Sequence, residues 1–263
     1  MKKFISANHI QMAYQIDGPE DGPPVFLSNS LMSSLEMWDD NIDALIDRYR
    51  VIRYDTRGHG QSQVTDGPYN IGLLGQDLVG LMDALHIQQA HLVGLSMGGM
   101  ICQYVGANFP DRVLSLSLCD TASEMPPRSL WEERFSIAQT SGIAGLVDGT
   151  IKRWFLEGFI NREPQKIDVV RKMILATPVD GYLACGSAVR DMAQSTMLLK
   201  IKAPTMVLVG KQDPACTLDQ ATVLHRLIPQ SSLKVIDQAA HLSNIEKPQE
   251  FNFHLREFLD SVA

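Results

Sequence analysis

Three residue types able to do hydrolytic chemistry stand in turn-rich stretches of this chain: a serine, an aspartate and a histidine. The serine is Ser96, within Gly94-Leu95-Ser96-Met97-Gly98. The residues before it, Ala90 to Leu95, form a short apolar run of strand type, and those from Met97 onward read as a tightly packed helix. A G-x-S-x-G sequence between a strand and a helix is a nucleophile elbow, which lifts the serine Oγ into the open on a strained turn. The glycines are needed because side chains there would strike neighbouring backbone. The next N–H, that of Met97, lies at a helix N-terminus, where a developing negative charge is stabilised.

A serine hydroxyl is a poor nucleophile unless a base takes its proton as it attacks. A histidine can do so near neutral pH, and a carboxylate beside it fixes the imidazole tautomer and stabilises the imidazolium. Asp213, in the turn Gly210-Lys211-Gln212-Asp213-Pro214, and His241, in Ala239-Ala240-His241-Leu242-Ser243, complete the order Ser…Asp…His that accompanies such an elbow. Asp120, at the end of an earlier apolar run, is the rival acid. Of the remaining histidines, His86 and His225 fall in expected helices, His91 in a strand, and His9 and His254 near the chain ends. His59 lies in Asp55-Thr56-Arg57-Gly58-His59-Gly60-Gln61-Ser62, whose glycines and charges read as a hydrogen-bonded turn rather than as catalysis. A second oxyanion donor is expected from the loop Asn29-Ser30-Leu31-Met32-Ser33-Ser34, with the Leu31 N–H best placed.

These residues need a scaffold, and the chain alternates in the way that supplies one. Strand-type runs at 24–28, 50–54, 90–95, 113–119, 205–209 and 233–236 alternate with helical patterns near 35–48, 71–86, 97–109, 218–227 and 248–259. That rhythm implies an α/β fold with a mostly parallel sheet covered by helices on both faces. One or two antiparallel strands precede it, between Phe4 and Ile16. Ligands bind such sheets beyond the carboxyl ends of the strands, where Ser96, Asp213 and His241 all fall. The rhythm breaks between Ala122 and Lys202. There helical patterns alone occur, near 129–140, 144–157, 165–176 and 181–199, between Met125-Pro126-Pro127 and Lys202-Ala203-Pro204. Residues 1–121 and 203–263 are therefore read as the core, and 122–202 as an inserted helical cap.

Composition narrows the function. With 263 residues, 45% hydrophobic and 20% charged, the chain can bury a large core. A net charge of −7 argues against nucleic acid or an anionic membrane as partner. Cys102, Cys119, Cys185 and Cys216 are widely spaced with no C-x-x-C pair, so neither a metal site nor a disulfide framework is expected. The N-terminus turns polar too early for a signal peptide, and the expected location is the cytoplasm.

The stretches Arg53 to Ser62, Gly94 to Gly99 and Ala240 to Glu246, together with Leu27-Ser28-Asn29-Ser30-Leu31 and the region Trp131 to Arg134, resemble the α/β-hydrolase fold over essentially the whole chain. Within it they resemble the 3-oxoadipate enol-lactonases of the bacterial β-ketoadipate pathway. That resemblance implies opening of an enol-lactone through an acyl-serine intermediate, without a cofactor. Met32 departs from it, since that branch leads one to expect glycine there. A substrate bearing a carboxylate calls for a cation in the cap. Arg134, one helical turn from Trp131, is the first candidate, with Arg190 and Arg153 behind it and Trp131 as an apolar wall. The same triad would serve a carboxylesterase or a lactonase of other specificity, and a hydrolase-fold ligand receptor is the non-enzymatic alternative.

Overall fold

Val25, Phe26, Leu27 and all of Ala90–Leu95 are buried, and they mark the middle of an eight-stranded sheet. The computed structural model describes residues 1–125 and 127–262. Its strands are β1 (Lys3–Ala7), β2 (Ile10–Asp17), β3 (Pro24–Ser28), β4 (Arg50–Tyr54), β5 (Ala90–Leu95), β6 (Val113–Cys119), β7 (Thr205–Gly210) and β8 (Ser231–Ile236). They lie in the order β1-β2-β4-β3-β5-β6-β7-β8. The β1–β2 and β2–β4 pairs are antiparallel, and all later pairs are parallel. The continuous apolar runs thus became the central strands, as expected of strands covered on both faces. The half-polar β1 and β8 became the edges.

Helices α1 (Ile71–Ala84) and α2 (Met97–Asn108) pack on each other, with α2 against β3, β5 and β6. Three further helices are α8 (Leu218–Leu227), on β7 and β8, the short α9 (Ser243–Glu246), and α10 (Pro248–Val262), on β6 and β8. The helix expected over 35–48 is instead a 3-10 helix over Leu35–Ala44. Asp39, Asp40, Asn41 and Asp43 interrupt it, side chains that seek hydrogen bonds away from a regular helix. The buried Asn41 amide donates to the Asn244 carbonyl at 3.2 Å and to Asn252 Oδ1 at 2.7 Å.

Between β6 and β7 the chain is helical: α3 (Arg128–Ser141), α4 (Val147–Trp154), α5 (Glu157–Arg162), α6 (Pro164–Leu175) and α7 (Val179–Arg190). Pro126, the middle of the expected entrance to this segment, lies outside the described residues. The expected helix over 144–157 divides into a 3-10 turn at Ile143–Leu146 and α4. The one expected over 181–199 stops at Arg190. Beyond it Gln194 is buried and donates its amide to the Met100 carbonyl at 3.0 Å, while its N–H bonds the Ser123 carbonyl at 2.9 Å. Those partners require an irregular chain. α7 meets the core where Gly181 abuts Gly58 backbone to backbone, so closely that a Cβ on either would overlap the other.

Loop Asp55–Ser62 is pinned from beneath by a buried ion pair. Arg57 donates to Asp77 of α1 through Nε (2.7 Å) and Nη2 (2.6 Å), and Asn8 donates to the same carboxylate at 2.7 Å. Removing one partner strands the other charge in the interior. Asp77→Ala should therefore cost about 3–5 kcal/mol in stability, read as a fall in midpoint on denaturant unfolding. An unchanged midpoint would show that water replaces the carboxylate.

Candidate active site

Ser96 adopts φ 56° and ψ −120°, in the left-handed half of backbone space, with α2 starting at the next residue. Gly94 and Gly98 permit the turn: a Cβ on Gly94 would overlap the Gly98 carbonyl, and one on Gly98 the Ser28 carbonyl. The strained residue is held on both sides. Its N–H donates to the Cys119 carbonyl at 2.9 Å, and its carbonyl accepts from Thr121 Oγ1 at 2.7 Å.

His241 and Asp213 meet as the triad reading requires. His241 Nδ1 lies 2.7 Å from Asp213 Oδ2, and both side chains are buried. The other oxygen, Asp213 Oδ1, accepts from the N–H groups of Ala215 (2.7 Å) and Cys216 (3.0 Å). This leaves Nε2 as the imidazole atom able to take a proton. Ser96 and His241 line one cavity of about 50 Å³ together with Leu31, Trp131, Arg134, Arg153 and Trp154. No hydrogen bond joins Ser96 Oγ to His241 among the described residues, a gap common in hydrolase sites without a bound reactant.

Asp120 has different work. Its Oδ1 accepts from the Gly210 N–H at 2.7 Å and its Oδ2 from the Ser243 hydroxyl at 2.5 Å. It thereby ties the start of the Asp213 loop to the His241 loop. Burial first, and then the charge of Asp213, push its carboxyl well above the usual range. Glu246 braces the His241 loop from the other side, accepting from the Ala240 N–H at 2.7 Å and, across to the helical segment between β6 and β7, from the Leu156 N–H at 2.9 Å.

The N–H groups of Leu31 and Met97 have no backbone or side-chain acceptor among the described residues. The loop that carries Leu31 is braced throughout. Asn29 donates to the Tyr54 carbonyl at 2.7 Å and accepts from Trp38 Nε1 at 2.9 Å. The Met32 N–H donates to His59 Nε2 at 3.0 Å, and the Leu35 N–H to Asp55 Oδ1 at 2.7 Å. His59 is thus in the turn read from sequence, and it also braces the loop that carries Leu31. Burial lowers its pKa to about 4, so the ring is neutral near pH 7 and Nε2 can accept. Nothing in the sequence pattern pairs it with a main-chain N–H 27 residues away.

Arg134 and Arg153 both face the cavity, and neither has a carboxylate partner among the described residues. The Arg134 guanidinium sits 4.9 Å from the Trp131 ring centroid and 5.9 Å from that of Tyr182. Desolvation, and then repulsion from Arg134, hold Arg153 below the usual guanidinium range. Arg190 is not available in the same way, because Asp191 takes it at 2.8 and 2.5 Å. Met125, Trp131 and the two arginines also line a neighbouring hollow of about 320 Å³. Asp213, Cys216 and His241 also place ligand-type atoms within 4.8 Å of one another. Burial and the charges of Asp213 and Asp120 raise the Cys216 thiol well above its usual range, and the Asp213 carboxylate in this group is already engaged by His241 and by two main-chain N–H groups.

A mostly parallel eight-stranded sheet, a strained serine at an elbow after β5 and a His–Asp pair beyond β7 and β8 define a hydrolase scaffold. A family model for the alpha/beta hydrolase fold matches residues 23–141, and the chain belongs to that family. It is 35% identical to 3-oxoadipate enol-lactonase 2 of Acinetobacter baylyi over 251 residues, covering 95% of this chain and 94% of that protein. The crystal structure of an enol-lactonase from Burkholderia xenovorans superposes with a TM-score of 0.96 at 35% identity, covering 98% of this chain and 100% of the other. A putative carbamate hydrolase of Agrobacterium fabrum is 26% identical over 257 residues, covering 94% of this chain and 98% of that protein. Among the described residues no helix is long and apolar enough to cross a membrane.

The two carboxylates should separate on substitution. Asp213→Asn is expected to lower kcat by about 10⁴-fold through loss of tautomer control. Asp120→Asn should cost about tenfold, the worth of one hydrogen bond. The reverse order in steady-state assays would make Asp120 the acid. His59→Leu should lower kcat by roughly tenfold with little change in KM, short of the ~10² to 10³ lost when an oxyanion donor is removed outright. An unaltered kcat would dismiss the brace.

Proposed function

We propose that this protein is a serine hydrolase that opens a small carboxylate-bearing enol-lactone, 3-oxoadipate enol-lactone to 3-oxoadipate, in aromatic-compound catabolism. The observation that supports this reading most is the pair of unpaired guanidiniums, Arg134 and Arg153, in the cavity shared by Ser96 and His241. Two cations held close together at a partly desolvated site repel each other, and a substrate carboxylate relieves that repulsion. The enol-lactonase names of the relatives at 35% identity agree with it.

In this reading Ser96 Oγ attacks the lactone carbonyl carbon while His241 Nε2 takes the hydroxyl proton. Asp213 holds the imidazolium that results. The carbonyl oxygen becomes an oxyanion between the N–H groups of Leu31 and Met97. Collapse restores the carbonyl and breaks the ring C–O bond. His241 returns its proton to the departing enolate oxygen, and the enol tautomerises to a ketone. The ring opening leaves the whole substrate attached to Ser96 as an ester. Water, deprotonated by His241, then attacks this ester and releases a carboxylate. No step needs a cofactor.

The test is steady-state hydrolysis of the enol-lactone beside a neutral aryl ester by wild type, Ser96→Ala and Arg134→Ala. Wild type should turn over the lactone far faster than the ester, and Ser96→Ala neither. Arg134→Ala should raise KM for the lactone by tenfold or more, about 1.4 kcal/mol of charge-assisted binding, with little effect on the ester. Ser96-dependent ester hydrolysis with little turnover of the lactone would keep the hydrolase and discard the substrate. Equal effects of Arg134→Ala on both substrates would remove anion recognition.

A further inference from the structure

Met32 is a residue that backbone chemistry alone would not select. Its φ is 64°, in the left-handed region that favours glycine and disfavours any side chain. Such strain persists only where the surroundings over-determine it, and it concentrates at working sites. Here the surroundings are specific. The Met32 N–H is taken by His59 Nε2 at 3.0 Å. The side chain is 1% exposed and reaches from the oxyanion loop up to the cap. Its Sδ lies 4.0 Å from Arg134 Nη2 and 3.9 Å from Thr150 Oγ1, contacts from α3 and α4 respectively.

The company of Arg134 makes this contact informative. Its guanidinium is bounded by the rings of Trp131 and Tyr182 and by the Met32 thioether. Its Nε is buried without a hydrogen-bond partner. Rings and a thioether are soft, weak acceptors: they orient a guanidinium without neutralising it. A carboxylate in the same place would hold it more firmly and abolish its use. The chain therefore accepts a strained backbone at Met32 and gains an oriented, still unsatisfied cation. Main chain and side chain of this one residue touch the two ends of the site: Leu31, the candidate oxyanion donor, precedes it, and Arg134 lies at its tip.

We propose that Met32 is a specificity-determining residue, whose side chain positions the Arg134 guanidinium for the anionic group of the substrate and joins that group to the oxyanion loop. The inference rests on the reading of Arg134 as the anion ligand. It predicts that selectivity for anionic over neutral substrates depends on a side chain reaching Arg134 from position 32, while the fold does not.

Kinetics of Met32→Gly and Met32→Gln on the anionic enol-lactone and on a neutral aryl ester, with a melting curve for each, test it. Met32→Gly relieves the backbone and removes the thioether. It should raise KM for the lactone about tenfold and lower the lactone-to-ester ratio of kcat/KM to match, and, because it also empties a buried volume, melt below wild type while still folding. Met32→Gln keeps the length and offers an oxygen to Arg134 and Thr150, and should hold the lactone-to-ester ratio within about threefold of wild type. A ratio unchanged in Met32→Gly overturns the proposal. So does a parallel loss on both substrates, which would make Met32 a packing residue. Arg134→Ala in the same assay separates the two readings. If it leaves the ratio unchanged, the anion reading fails and takes this inference with it. If it lowers the ratio where Met32→Gly does not, this inference alone fails.

Discussion

The forced backbone conformation at Ser96 is the constraint on which the rest of the site depends. A residue at φ 56° and ψ −120° does not stay there by itself. The turn exists because Gly94 and Gly98 let the chain pass close to itself and to β3. Hydrogen bonds to Cys119 and Thr121 hold it against the end of β6. The same geometry presents Oγ to the cavity and starts α2 at Met97. The proposed nucleophile and oxyanion donor are thus products of one turn, placed by the fully buried β5 behind it.

Around that turn, ionisable groups are held in states that suit the proposed chemistry. Asp120 and Asp213 lie close enough that burial and mutual repulsion raise the Asp120 carboxyl. The two acids sit in different settings, Asp120 between the Gly210 N–H and the Ser243 hydroxyl, and Asp213 beside His241. His59 is kept neutral by burial and serves as an acceptor for backbone. Arg134 and Arg153 face the cavity with no carboxylate partner among the described residues. Each state is costly alone, and each is maintained by the packing of loops that converge at the carboxyl ends of the strands.

What could be read from sequence follows from what sequence encodes. Ser96, Asp213 and His241 could be singled out because the proposed chemistry demands a side-chain type, in order, within turn-rich loops between apolar runs, and the fold brings them to one cavity. The central strands were legible because burial on both faces leaves unbroken apolar stretches. The 3-10 helix at Leu35–Ala44 was not, since its irregularity depends on where Asn41 finds partners in Asn244 and Asn252, far along the chain. Nor was the end of α7, set by Gln194 reaching Met100. His59 was read as turn chemistry; its further service to Met32 is a contact with main chain, which leaves no mark on residue types. Asp191, adjacent to Arg190, was a visible sign that this arginine is taken. That Arg153 has no carboxylate partner among the described residues could be known only from the fold.

The central claim is that Ser96 is an activated nucleophile whose tetrahedral adduct is held by Leu31 and Met97. Stoichiometric inactivation by a small alkyl fluorophosphonate, with the modified residue mapped by peptide mass spectrometry, tests it without assuming any substrate. The account predicts one adduct per chain, on Ser96, formed far more slowly in Asp213→Asn. No adduct, or an adduct on another residue with Ser96 unmodified, would contradict it.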